Sequence, residues 1–299
     1  MDTHTPHRAR SIEEFLPIID RMFPEADREQ ALAAYQPRPT DVIISPFGKC
    51  GTTWLQQTFH CLRTRGDMDF DDISRVVPWI ETSVTLGLDI NGEQVTDPRG
   101  FKSHLAYDDL PKGTRYVVSL RDPKDALVSM YKFMEGWFME PGAIPIDHFA
   151  FGWAANGRYW RHLASWWAQR DNPDVLLFSY EHMCEDPKSH VKRLAEFCEI
   201  TLDDELLRLT LDNSSLAFML AHKDKFDDFM MRQKSEELCN LPPGSESSKV
   251  RKGGAGGHRA ALSAETSAML DETWTKAAAP ATGFASYAEF DAALRNRFT

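Results

Sequence analysis

The segment Ser45-Pro46-Phe47-Gly48-Lys49-Cys50-Gly51-Thr52-Thr53-Trp54 constrains this chain more than any other. It follows an apolar run at 41–45 (Asp-Val-Ile-Ile-Ser), which suits a strand buried in a parallel sheet. It precedes a helical pattern at 52–65, where Leu55, Phe59 and Leu62 share one face. A helix starting there aims unpaired backbone N–H groups and the positive end of its dipole into the loop. Gly48 and Gly51 allow close backbone approach, Thr52 and Thr53 add hydroxyl donors, and Lys49 adds a point charge. These are the parts of a phosphate cradle, although a small-residue turn capping a helix uses the same residue types. A nucleoside-triphosphatase loop needs Gly where Ile43 stands and Ser or Thr where Cys50 stands, so the loop is only P-loop-like.

Three more apolar runs, at 100–103, 116–120 and 175–180, alternate with helical patterns. Asp122-Pro123 and Asp186-Pro187 each read as an N-cap followed by proline at the first helical position. Such alternation predicts an α/β fold: a single domain with a central parallel sheet flanked by helices. A helical segment is expected over 11–35, with Ile12, Phe15, Leu16 and Ile19 on its apolar face, closed by Pro37 and Pro39. We divide the chain into 1–37, an N-terminal helical segment packing on the main domain, and 38–299, the domain itself.

Further segments carry candidate chemistry, each with a plainer alternative. Arg121 ends the third strand and Ser129 lies on the next helix, where ligand contacts gather in open sheets. A capped helix with Arg121 in a surface ion pair is the alternative. Residues 249–259 hold Lys249, Arg251, Lys252 and Arg259 with no acid and several glycines. This loop suits an anion, or is simply solvated. His104, beside Lys102 at a strand end, is a candidate base or a structural histidine. The acidic run Asp67, Asp69, Asp71 and Asp72 reads as a solvated loop rather than a calcium site.

Taken in order, these segments resemble the cytosolic-type sulfotransferases, which use 3′-phosphoadenosine 5′-phosphosulfate (PAPS). Lys49-Cys50-Gly51-Thr52-Thr53-Trp54 is similar to that family's K-S-G-T-T-W loop, with Cys50 in the serine position. The resemblance implies that this loop holds the phosphosulfate, Lys49 meets the bridging oxygen and Trp54 lies on adenine. It assigns the 3′-phosphate to Arg121 and Ser129, from R-N-A-K-D-x-x-x-S, and to Arg251, Lys252 and Gly253, from R-K-G-x-x-G. Phe101-Lys102-Ser103-His104-Leu105 resembles the segment carrying K-T-H-L-P, which makes His104 the general base and Lys102 a partner of the sulfuryl oxygens. Tyr180 and Ser214 would touch the adenosine. Phe47, Trp79, Phe133 and Trp137 would line the acceptor pocket, unless they are core.

The implied enzyme is a sulfotransferase that needs no metal, acts on a hydroxyl or amine of a small, hydrophobic or aromatic acceptor, and leaves 3′-phosphoadenosine 5′-phosphate. A P-loop-type small-molecule kinase and a non-catalytic nucleotide-binding protein are the alternatives. Composition narrows the partners. With 34 Lys+Arg against 45 Asp+Glu the net charge is -11, which disfavours nucleic acid and anionic membrane. No apolar run is long enough for a membrane span. Residues 1–10 have no apolar core of a secretory signal, and five cysteines without a CxxC pair suit a reducing cytoplasm. A dimer motif of the K-x-x-x-T-V-x-x-x-E kind is not found, so the oligomeric state stays open.

Overall fold

The computed structural model describes residues 5–297 except Glu246 and Ser248. Four parallel strands, β1 (Val42–Ile44), β2 (Gly100–Lys102), β3 (Arg115–Leu120) and β4 (Val175–Ser179), form one sheet in the order β2-β1-β3-β4. Ile43 pairs with Phe101 on one side and Tyr116 on the other, and Val118 pairs with Leu177. The four expected strands are all present. The chain leaves β1 toward β2 and returns past it to β3, so the sheet reverses its order at β1, the place where open sheets bind ligands.

Because strand side chains alternate, β1, β3 and β4 each feed two cores, while β2 contributes Phe101 to one. Val42, Ile44, Val117, Leu176 and Phe178 pack with Leu55, Phe59 and Leu62 of α3 (Thr52–Thr64) and with Val191 and Leu194 further along. Ile43, Phe101, Tyr116, Val118 and Leu177 face the opposite core, with Leu127, Trp166 and Trp274. Both proline-led caps form as read. Asp122 accepts from the Lys124 N–H at the start of α4 (Pro123–Trp137), and Asp186 accepts from the Ser189 N–H before the helix Pro187–Phe197.

The N-terminal segment departs from one continuous helix. It divides into α1 (Ile12–Met22) and α2 (Glu25–Ala34), because Pro24 has no N–H to give and pushes Phe23 out of helical backbone. The buried face of α1 is Phe15, Ile18 and Met22, whereas Leu16 is 54% exposed. Beyond α2 the chain is fastened by a buried pair. Arg99 donates Nε to Asp41 Oδ1 at 2.9 Å and Nη2 to Oδ2 at 2.7 Å, while the Tyr35 hydroxyl donates to the same carboxylate at 2.7 Å. Asp72, read as part of a solvated run, is fully buried, where its carboxylate caps the turn Ile73–Val76 and accepts from the Met230 N–H. Asp69 and Asp71 are exposed as expected, whereas Asp72 joins two segments that are far apart in sequence, a relation periodicity cannot report.

Leu55 is fully buried beneath the cradle, so Leu55→Ala should cost about 2–5 kcal/mol in urea unfolding. Leu16→Ala on the exposed side of α1 should stay within about 0.5 kcal/mol. Equal losses at both positions would contradict this core assignment.

Candidate functional site

The carboxyl ends of all four strands open on one place: Ser45 after β1, Lys102 at the end of β2, Arg121 after β3 and Tyr180 after β4. The cradle loop runs from β1 into α3. Lys49 and Gly51 both take left-handed backbone, φ 69° and 97°, which turns the loop sharply into the helix. At Gly51 a Cβ would sit 2.9 Å from Tyr180 Cδ2, so that close approach requires glycine. Gly51 is also the N-cap and has no side chain to satisfy the first helical N–H groups. Within the same corner the Thr52 hydroxyl, the Trp54 indole N–H and Arg121 Nε are buried without a partner among the described residues. Unpaired donors at a helix N-terminus are what an anionic ligand satisfies.

The cations here are held by the protein's own carbonyls. Lys49 Nζ donates to the Lys249 carbonyl at 3.3 Å and lies 4.3 Å from the Phe133 ring centroid. Arg121 donates Nη1 to the Lys49 carbonyl at 2.7 Å and Nη2 to the Gly254 carbonyl at 3.0 Å, and its guanidinium covers the Tyr180 ring at 4.1 Å. Loop 249–259 is therefore strapped over the cradle, while Arg251, Lys252 and Gly253 stay exposed at its crest. Its far end is fastened to α4: Asp125 accepts from the Gly256 and His258 N–H groups, the latter at 2.9 Å, and from His258 Nδ1 at 2.9 Å. Ser129 is half-buried one turn further along α4.

His104 is aimed by its neighbours. Its N–H donates to Glu81 Oε1 at 2.8 Å, and the same oxygen accepts from Ser103 Oγ at 3.0 Å. Nδ1 lies 2.7 Å from the Pro46 carbonyl. A carbonyl only accepts, so Nδ1 carries the proton and Nε2 keeps a bare lone pair. The Trp79 ring meets His104 edge-on at 5.1 Å, and the Lys102 ammonium lies 3.8 Å from the Trp79 ring centroid.

Burial and like charge set the proton affinities. Burial, then repulsion from Lys249, lowers Lys49 to about 7. Lys102 falls to about 8 by burial, with Asp228 resisting the fall. Burial and the Lys102 charge hold His104 well below its usual range, which keeps it neutral and basic in form. Burial raises Glu81.

Several expected residues are brought together and others are not. Lys49, Gly51, Thr52, Thr53, Trp54, Arg121 and Tyr180 share the cradle, and Lys102, His104 and Trp79 form the adjoining corner. Phe133 adjoins the cradle through the Lys49 ammonium. Phe47 packs against Trp153, Tyr159 and His162 beside the cradle. Trp137 does not line a pocket: it is 2% exposed, stacks on Phe138 at 4.5 Å and donates Nε1 to Ser235 at 2.9 Å, backing Phe133 from the core. Ser214 spends its hydroxyl on the Thr210 carbonyl at 2.6 Å as a helix cap. The Cys50 thiol is buried and pushed up to about 12 by burial, with Sγ directed at the Gly48 carbonyl, so it offers neither a phosphate donor nor a reactive thiolate. Sequence reasoning missed Glu81, Asp125 and Asp228, and counted Lys249 only among the basic residues of its loop. Asp228 lies within Lys-Asp-Lys-Phe-Asp-Asp-Phe, which reads as a solvated charge run and gives no signal.

Residues 39–281 match the sulfotransferase domain family. Sulfotransferase 1B1 of Canis lupus familiaris is 31% identical over 210 residues, 65% of this chain and 71% of that protein. Sulfotransferase 1E1 of Homo sapiens is 30% identical over 202 residues, 62% and 68% of the two chains. Among solved structures, retinol dehydratase in complex with retinol and PAP superposes with a TM-score of 0.66 at 19% identity, covering 90% of this chain and 95% of that one. Mouse sulfotransferase SULT7A1 complexed with PAP gives 0.62 at 19% identity, covering 86% and 90%. At that identity these structures establish the shared fold.

Long-range proton–nitrogen NMR should find His104 protonated at Nδ1 and bare at Nε2 from pH 6.5 to 8. A ring protonated on both nitrogens at pH 6.5 would contradict the burial and Lys102 effects described above.

Proposed function

We propose a reaction from one premise, that the chain belongs to the sulfotransferase family: it moves a sulfuryl group from PAPS to a hydroxyl or amine of a small acceptor. The observation that carries this reading is the cradle itself, with unpaired buried donors on Thr52, Trp54 and Arg121 beside two cations that now hold backbone carbonyls. The residues present fit an anionic nucleotide donor, whose oxygens would replace those carbonyls. A magnesium-dependent kinase finds no support, since Cys50 stands where the metal-ligating hydroxyl is needed.

In this reading Lys49, Gly51, Thr52 and Thr53 hold the phosphosulfate, and Trp54 and Tyr180 take the adenine. Arg121, Ser129, Arg251, Lys252 and Gly253 take the 3′-phosphate once the loop crest folds inward. The donor supplies an activated sulfuryl group on a phosphate leaving group. His104 Nε2 accepts the acceptor's proton, held to that role by the Pro46 carbonyl on Nδ1. Lys49 and the N-terminus of α3 stabilise negative charge on the departing phosphate, as preorganised donors do. Lys102 faces the sulfuryl oxygens from beside Trp79. Trp79, Phe133 and Phe47 supply aromatic wall, which favours a hydroxyl carried on an apolar or aromatic body. Among the described residues no helix is long and apolar enough to cross a membrane. We place the enzyme in the cytoplasm, where its five free cysteines stay reduced. We also take 38–299 as the catalytic domain and 1–37 as a segment packed against it.

A panel of phenols, alcohols and amines assayed with sulfur-labelled PAPS identifies the acceptor. On that acceptor His104→Ala should lose about 100-fold or more in turnover while binding of 3′-phosphoadenosine 5′-phosphate persists. Lys49→Ala should lose roughly 100-fold. Near-normal turnover in either variant overturns the role given to that residue. The donor binds the charged lysines, so kcat/KM for PAPS should fall as pH rises through about 7 to 8, where Lys49 and Lys102 lose their protons. A flat profile from pH 6 to 9 contradicts this.

A further inference from the structure

One carboxylate stands among the cations of the reacting corner. Asp228 precedes the helix Phe229–Cys239 and takes left-handed backbone, φ 49°. Its Oδ1 lies 2.6 Å from Lys249 Nζ and 3.8 Å from Lys102 Nζ, and accepts from Ser74 Oγ at 3.4 Å. All three charged side chains are nearly closed to solvent: Asp228 is 3% exposed, Lys102 2% and Lys249 8%. Lys49 adds to the positive field on Asp228 from the cradle. The negative neighbours have other partners. Asp72 caps the turn Ile73–Val76 and accepts from the Met230 N–H, Asp227 pairs with Arg232 and Ser247, and Glu81 holds the His104 loop.

A buried ammonium with no counterion gives up its proton, and neighbouring ammonium groups hasten that loss. Lys49, Lys102 and Lys249 crowd together with Arg121 close by, so the corner must either lose charge or hold an anion. We propose that Asp228 is a positioning residue for sulfuryl transfer: its carboxylate keeps the Lys102 ammonium charged beside Trp79 and tethers Lys249 at the edge of the cradle. The tether also fixes the Lys249 carbonyl that Lys49 holds, so one carboxylate sets the starting places of all three lysines. Burial opposes ionisation of Asp228, yet Lys102, Lys249 and Lys49 hold it well below the usual carboxylate range, so it stays charged throughout the working pH range. The inference rests on the assignment of Lys102 to the transfer site.

The test reads the proton on Lys102 directly. Protein labelled at lysine Cε with carbon-13 is titrated by NMR, with the Lys102 signal assigned through Lys102→Arg. Asp228→Asn keeps the shape and tolerates the left-handed backbone. It should lower the Lys102 midpoint by about one pH unit or more, with the alkaline limb of turnover on the identified acceptor moving down alongside it. Asp228→Glu should restore most of the shift. Lys249→Met removes a like charge and should move the midpoint up, an opposite sign that keeps the proposal testable should Asp228→Asn fail to fold. An unchanged Lys102 midpoint in folded Asp228→Asn, or a downward shift in Lys249→Met, overturns the proposal. Full turnover in Lys102→Ala would instead overturn the assignment of Lys102 while leaving the titration result standing.

Discussion

Positive charge gathered at the carboxyl edge of a small parallel sheet governs this molecule. Lys49, Lys102, Lys249 and Arg121 arrive from four separate segments, and burial makes their charges costly to keep. The protein meets that cost with two carbonyls of loop 249–259, the carbonyl of Lys49 and the carboxylate of Asp228. Each of these partners is an acceptor on a buried cation, the kind of group whose place the oxygens of an anionic ligand can take. The loop strapped by Lys49 and Arg121 and the closed corner around Lys102 both follow from the same requirement.

Beside the charge lies an aromatic wall, and the two share residues. Phe133 carries the Lys49 ammonium on its face and Trp79 carries that of Lys102, while Trp79 also meets the edge of His104. The groups that stabilise transferred charge are thus packed directly against those that would seat the acceptor. A protein of net charge -11 can build such a corner because many of its acids lie in surface pairs such as Arg75–Asp71 and Arg295–Glu185, while within the corner Asp228 is tied to Lys249 and Lys102. The average charge describes the partners the surface repels; the corner describes the one it admits.

The parts legible in the sequence were those with local causes. Apolar runs found the four strands, Asp-Pro pairs found two helix starts, and the Gly-Lys-Cys-Gly-Thr-Thr string located the cradle. The family followed from several motifs in order. What stayed illegible depends on contacts across the chain. Trp137 sits one helical turn beyond Phe133 and has the same aromatic character, but the helix turns it inward to Ser235. Ser214 looks like a free hydroxyl until the helix end it caps is seen. Asp228 and Glu81 gave no signal, since acids in polar stretches ordinarily face water. Only the fold brings them against buried lysines and the base-bearing loop.

The central claim is that cations held in part by backbone carbonyls await an anionic nucleotide. Lys49, lowered to about 7 by burial and neighbouring charge, is largely neutral at pH 8 and should regain its proton when an anion replaces the Lys249 carbonyl. Calorimetry of 3′-phosphoadenosine 5′-phosphate binding at pH 8, in two buffers of different ionisation heat, measures that proton directly. The account predicts tight binding with net proton uptake. Binding without proton exchange, or preference for magnesium-ATP over this nucleotide, would contradict it.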